Sequence, residues 1–150
     1  MIPAKIRVLA LGIFRRGDEI LVFEGYDPSK DQLFYRPLGG AVEFGERGHQ
    51  ALARELHEEL GAEVLDPRYL GTLENLFVYD GEQGHEVVLL YEGILADTVL
   101  YEQAEMTAYE DDGTPFRALW KPLADFGEGK APLYPDGLLA FLQGARTGPS

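Results

Sequence analysis

Residues 39–62 read GGAVEFGERGHQALARELHEELGA and concentrate five glutamates between glycine turns. Leu52, Leu56 and Leu60 recur every four residues, and Gly61 stands where a C-terminal cap belongs, so the spacing predicts a helix over Gly48–Leu60. At about 100° per residue, Leu52, Leu56, Leu60 and Ala53 share one face. Glu55, Glu58 and Glu59 fall at i, i+3 and i+4 on an adjoining face, where neighbouring side chains meet.

Like charges at these offsets cost roughly 0.2 to 0.5 kcal/mol per pair. A divalent cation reverses the sign, and magnesium, a hard ion that prefers oxygen ligands, commonly takes one or two carboxylates together with substrate phosphates. Gly48 and Ala51 project toward the acids, and their small side chains leave room for a hydrated ion. Three glutamates at this spacing also make an ordinary solvated face, and taken alone that is the weightier reading. The preceding loop shifts the balance. Glu43 and Glu46 stand among Gly39, Gly40 and Gly45, whose conformational freedom lets a loop turn carbonyls and acids toward one point. Glu46 is also accounted for by the helix dipole, and Arg54 by pairing with a nearby glutamate.

The spacing Gly40, five residues, Glu46, seven residues, Arg54-Glu55-Leu56-His57-Glu58-Glu59-Leu60-Gly61-Ala62 resembles the Nudix box of the Nudix hydrolases, with every fixed position filled. Ala62, where the family usually carries a larger aliphatic residue, departs in packing more than in chemistry. The resemblance implies hydrolysis of a nucleoside diphosphate linked to another group, by attack of water on phosphorus, with Mg2+ or Mn2+ as cofactor. It implies Glu55, Glu58 and Glu59 as metal ligands, with the carbonyl of Gly39 or Gly40 joining them. Glu46 would orient a ligand or the water, and Arg54 would hold the glutamates by salt bridging. A further glutamate in a later loop often serves such enzymes as general base or extra ligand; Glu105 and Glu110 are the candidates, against a solvated loop. Tyr79 lies where the dinucleoside polyphosphate branch has a tyrosine, whereas Phe77 occupies the place of the proline that marks the ADP-ribose branch. Nucleoside triphosphates, nucleotide sugars and dinucleoside polyphosphates stay open as substrates. Family members are often dimers, so a homodimer is one expected assembly. The alternative to an enzyme is a Nudix-type module that binds nucleotide or protein without turnover, for which an intact acidic set is not needed.

The remainder of the chain is compatible with one such domain over residues 1–150. Its 150 residues are 45% apolar, enough for one core. A net charge of −13 with no basic run argues against a nucleic-acid polymer as partner, although not against a nucleotide whose charge is met by metal. Without cysteine there is neither disulfide nor thiolate zinc site. No apolar stretch approaches the roughly 20 residues that span a bilayer, and no signal-peptide layout is present, so the expectation is a cytoplasmic protein without a membrane partner.

Strands are expected at Lys5–Phe14 and Glu19–Phe23, around an Arg15-Arg16-Gly17-Asp18 turn, and at Leu33–Arg36. Arg36 stands beside the proposed site and is a candidate for a substrate phosphate. Leu70–Tyr79 and Glu86–Leu95 read as strands buried on both faces, joined by a loop over residues 80–84. Phe77 and Tyr79 are candidates for stacking on a base, against ordinary cross-strand packing. His85 and Glu86, at that loop's edge, could project toward a site. Residues 101–115 read as an acidic mobile loop, Phe116–Leu123 as the last strand, with Trp120 packing a helix on the sheet. Pro135–Gln143 reads as a closing helix with Pro135 in its first turn and Gly144 at its end, and 144–150 as a frayed tail. The order gives an α/β (α+β) fold, an α/β/α sandwich with a mixed sheet; nothing in it resembles repeated strand-helix crossovers.

Overall fold

The protein is described by a computed structural model, which covers residues 4–147. Its axis is strand β1 (Ile6–Ile13), whose second half is buried on both faces. Alternation along an extended chain sends Leu9, Leu11 and Ile13 into one apolar cluster and Ala10, with Phe14 just beyond the strand, into another. One helix closes each cluster. Helix α1 (Gly48–Leu60) contributes Ala51, Leu52 and Leu56 to the second, and helix α2 (Leu138–Thr147) contributes Leu138 and Leu142 to the first.

Two sheets lie between the helices, where the sequence reading has one mixed sheet. The first is mixed, in the order β5-β1-β7-β6: β1 runs parallel to β7 (Glu82–Leu95) and antiparallel to β5 (Gly39–Ala41), while β6 (Val64–Tyr79) pairs antiparallel with β7. The second is antiparallel and built on β3 (Glu19–Asp27), which pairs with β2 (Arg15–Arg16), β4 (Gln32–Pro37) and β9 (Pro115–Pro122); β9 also pairs with β8 (Glu105–Tyr109). The long β3 pairs with β4 over Val22–Asp27 and with β9 over Glu19–Phe23.

Helix α1 has the expected bounds because Gly61 adopts φ 64° and ends it, its N–H donating to the carbonyl of His57 at 2.9 Å. Elsewhere the structure departs from the pattern reading. Strand β6 is an edge strand with Asn75 its one buried residue, since its apolar side chains outnumber the neighbours available to cover them. The turn after it is two residues, Asp80-Gly81, both at positive φ, and β7 resumes at Glu82. A third of the acidic stretch 101–115 is strand β8, and Arg15 and Arg16 pair in β2, leaving Gly17-Asp18 as the turn. Pro135 follows a cis peptide outside α2, which starts at Leu138 and passes through Gly144 to Thr147; residues 148–150 lie outside the described ones.

Gly39 shows how closely β5 sits on β1. At φ 142°, a Cβ there would stand 2.0 Å from the Ala10 carbonyl oxygen, a backbone atom that cannot yield. Gly39→Ala is therefore expected to lower stability by more than about 2 kcal/mol in denaturant unfolding, whereas Gly17→Ala, at φ 61° in the left-handed helical region and in open space, costs only about 1 kcal/mol. Equal losses would show that backbone conformation alone, without the β1 contact, sets the requirement.

Candidate active site

The acidic face of α1 is arranged by one arginine. Arg54 donates through Nε to Glu46 Oε2 at 2.8 Å and through Nη2 to Glu46 Oε1 at 3.0 Å, a bidentate pair. Its Nη2 also donates to the Ala41 carbonyl at 3.0 Å, and its Nη1 reaches Glu55 at 3.3 Å and Glu58 at 3.2 Å. One guanidinium thus ties the glycine loop to the helix and neutralises part of the charge between Glu55 and Glu58, i and i+3 neighbours. Glu46 in addition accepts from the Glu43 N–H at 3.0 Å, and these bonds, Arg54 first, hold its carboxyl below the ordinary range. Its role is clamping the loop rather than capping the helix: Gln50 receives the free N–H of Arg47 at 2.8 Å.

The room above the acids comes from Gly40, not from Gly48 and Ala51 as the sequence pattern implies. A Cβ on Gly40 would lie 2.5 Å from the carboxylate of Glu55, whereas Gly48 is filled by Tyr91 and Ala51 is packed in the core. Glu55 is partly buried, and burial first, then the charge of Glu58, raises its carboxyl against the opposing pull of Arg54. Glu59 is more extreme. Its Oε1 is buried with no hydrogen-bond partner, and burial, followed by the charge of Glu55, pushes the carboxyl up to about 8.

A fourth acid, missed in the sequence reading, arrives from the other sheet. Met106 and Ala108 of β8 pack in the cluster that holds Leu52 and Leu56, so the β8–β9 hairpin is pinned against α1. Its tip is a turn closed by Gly113 N–H to the Glu110 carbonyl at 2.9 Å, and it sets Asp111 where one of its oxygens and one each from Glu55 and Glu58 lie within 4.8 Å of one another. Oxygen-only donors, converging carboxylates, the missing Cβ at Gly40 and an orphaned buried oxygen on Glu59 fit a hard divalent cation.

Glu110 comes to the site; Glu105 does not. Glu110 lines a narrow gap with Glu59, Gly39, Arg36, Phe23 and Phe116. Glu105, out of phase with the buried Met106 and Ala108 of β8, faces outward and pairs with Arg117 at 2.7 Å. The gap leads into a cavity of about 520 Å³ between the sheets. Arg36 lines both, its guanidinium 5.0 Å from the ring centre of Phe23 and its buried Nε unpartnered. Burial lowers its affinity for the proton against the opposing pull of Glu86 and Glu59. Phe77 and Tyr79 both line the cavity, although Tyr79 is also engaged edge-on by Phe34 and donates to the Tyr26 carbonyl at 3.3 Å. His85 and Glu86 line it as well.

A model of the NUDIX domain family matches residues 3–138. The chain belongs to the Nudix hydrolase family. It is 33% identical over 113 residues to the NAD-capped RNA hydrolase NudC of Photobacterium profundum; the alignment covers 70% of this chain but 41% of that protein, so the chain spans about two fifths of that relative's length. The MutT Nudix hydrolase of Burkholderia pseudomallei has a similar fold, with a TM-score of 0.64 at 21% identity over 93% of this chain and 98% of that one. A Nudix hydrolase of Nitrosomonas europaea aligns with a TM-score of 0.67 at 18% identity over 96% and 90% of the two chains. The architecture expected from the Nudix box is thus that of the family, and no helix among the described residues is long and apolar enough to cross a membrane.

The Glu59 carboxyl gives a stability signature. Its folded value, about 8, lies above its ordinary 4.5, so the folded chain binds the extra proton between them. In chelator, stability is full below 4.5 and falls as pH rises toward 8; Glu59→Gln flattens that slope and divalent cation restores stability at the alkaline end. Thermal unfolding across this range checks it, and a wild-type slope unchanged in Glu59→Gln would remove Glu59 as its source.

Proposed function

We propose that the protein is a divalent-metal-dependent pyrophosphohydrolase that cleaves the diphosphate linkage of a small nucleoside diphosphate derivative. Membership of the Nudix hydrolases gives the class; the observation that carries the finer reading is the convergence of Glu55, Glu58 and Asp111 beside the unpartnered oxygen of Glu59. Glu55, Glu58 and Asp111 would hold the cation, with Glu59 and the carbonyls of Gly39 and Gly40 completing its surroundings. Magnesium, or manganese, supplies charge neutralisation on the diphosphate and acidifies water near neutral pH.

The protein's own groups do the rest. Arg54 keeps the carboxylates charged and converged, and Glu46 fixes Arg54 to the loop. Arg36 offers its free Nε to a phosphate oxygen at the junction of gap and cavity. Glu110, which lines the gap with Glu59, receives the proton of the attacking water at its carboxylate. The domain over residues 1–150, its location in the cytoplasm and its action as a homodimer belong to the same proposal, as does the absence of a nucleic-acid or membrane partner.

Turnover on a panel of nucleoside triphosphates, nucleotide sugars and dinucleoside polyphosphates is expected with Mg2+ or Mn2+ and none in chelator. Glu58→Gln, Glu59→Gln and Asp111→Asn each lower kcat by about 10²-fold or more, and Glu110→Gln lowers kcat with KM held. Glu105→Gln stays close to wild type. Full activity in folded Asp111→Asn would remove the hairpin acid from the site, and tight binding of a panel compound without turnover would make the chain a non-hydrolytic nucleotide module.

A further inference from the structure

The cavity beyond Arg36 is walled alike from both sheets. On β3 and β4, the ring of Phe34 lies over its register partner Gly25, where a Cβ would be 2.4 Å from the ring. On β6 and β7, Phe77 lies over its partner Gly84, where a Cβ would be 2.2 Å from the ring. Each sheet therefore presents a flat aromatic panel to a space within the range of small-ligand pockets.

The floor of that space is polar. Asn75 and Glu86 face each other across β6 and β7, are 5% and 4% exposed, and line the cavity. Glu86 is under-bonded for a buried carboxylate: Asn75 Nδ2 donates to its Oε1 at 3.5 Å and Arg7 approaches its Oε2 at 3.5 Å, both at the outer limit of a hydrogen bond. A carboxylate accepts about four such bonds, so lone pairs remain for a ligand. The orientation of Asn75 is fixed because its Oδ1 accepts from the Asp136 N–H at 3.4 Å. Its amide nitrogen has a second hydrogen to offer beside the carboxylate.

The floor thus displays one N–H donor next to a carboxylate acceptor. We infer that this cavity is a nucleobase subsite specific for guanine, with Asn75 Nδ2 donating to O6 and the Glu86 carboxylate accepting from N1–H and the 2-amino group. Adenine presents the reverse pattern on the same edge, and uracil places a second carbonyl against the carboxylate. Arg7 offsets the charge of Glu86 when the base is absent. The inference rests on the hydrolase reading only for where the phosphates go: a ring between the aromatic panels directs them past Arg36 toward Glu59.

The test compares GTP with ITP, which lacks only the 2-amino group, and with ATP. Wild-type kcat/KM is expected to be at least about tenfold higher for GTP than for ITP, with ATP lower still, because the missing group leaves a buried acceptor unpaired. In folded Glu86→Gln the GTP/ITP ratio collapses to about one. Equal wild-type rates for GTP and ITP overturn the inference, and so does a preference that survives in Glu86→Gln. If that variant does not fold, the wild-type ratio decides. Calorimetric binding of GDP and IDP to the wild type separates the two readings. Tighter GDP binding without turnover of any triphosphate contradicts the hydrolase and sustains the base subsite; turnover without base preference does the reverse, and neither binding nor turnover contradicts both.

Discussion

Arg54 is the interaction on which the site depends. Three carboxylates on one helical face repel one another, and the loop that precedes them would otherwise be free to swing on its glycines. A single guanidinium spans Glu46, the Ala41 carbonyl, Glu55 and Glu58, so the same group relieves the repulsion and fixes the loop. Those acids, and its hydrogen bond to Glu46 first, hold Arg54 firmly in its charged form. Arg54 reaches Glu55 and Glu58 through Nη1 alone, and one oxygen of each still lies within 4.8 Å of an oxygen of Asp111.

The second constraint is the packing of both sheets and α1 into one apolar cluster. Helix α1 is packed on the first sheet through Leu52 and Leu56, and the β8–β9 hairpin of the second sheet is packed on the same residues through Met106 and Ala108. Hydrophobic packing with no polar role thereby sets the distance between Glu55 and Asp111. Arg36 of the second sheet lines both the gap beside Glu59 and the cavity, whose walls come from both sheets.

What the sequence disclosed divides along these lines. The helix and its glycine cap, and the approach of Glu55 to Glu58, follow from spacing within one element, whereas Glu59 turns into the gap beside Arg36 instead of joining those two. Arg54 was legible as a partner of nearby glutamates, but its bidentate pairing with Glu46 across the first turns of α1 was not. Asp111 was not legible, because its arrival depends on a hairpin from another sheet whose register no local pattern states; Glu110 and Glu105 were indistinguishable until β8 was recognised, since strand alternation alone sends Glu105 outward to Arg117. The burial expected of β6 failed for a related reason: apolar content marks a strand, but only the sheet order shows that it is an edge. Glu86 was visible as a residue at a loop's edge, whereas its pairing with Asn75 required the two-residue turn at Asp80-Gly81 to be known.

The most direct measurement is anomalous diffraction from crystals of the protein equilibrated with Mn2+. A cation claimed for these acids gives a peak bounded by carboxylate oxygens of Glu55, Glu58 and Asp111, absent from Asp111→Asn crystals or displaced toward Glu59. Ordered crystals with Mn2+ bound elsewhere, or with direct salt bridges closing the acidic face and no peak, would contradict it.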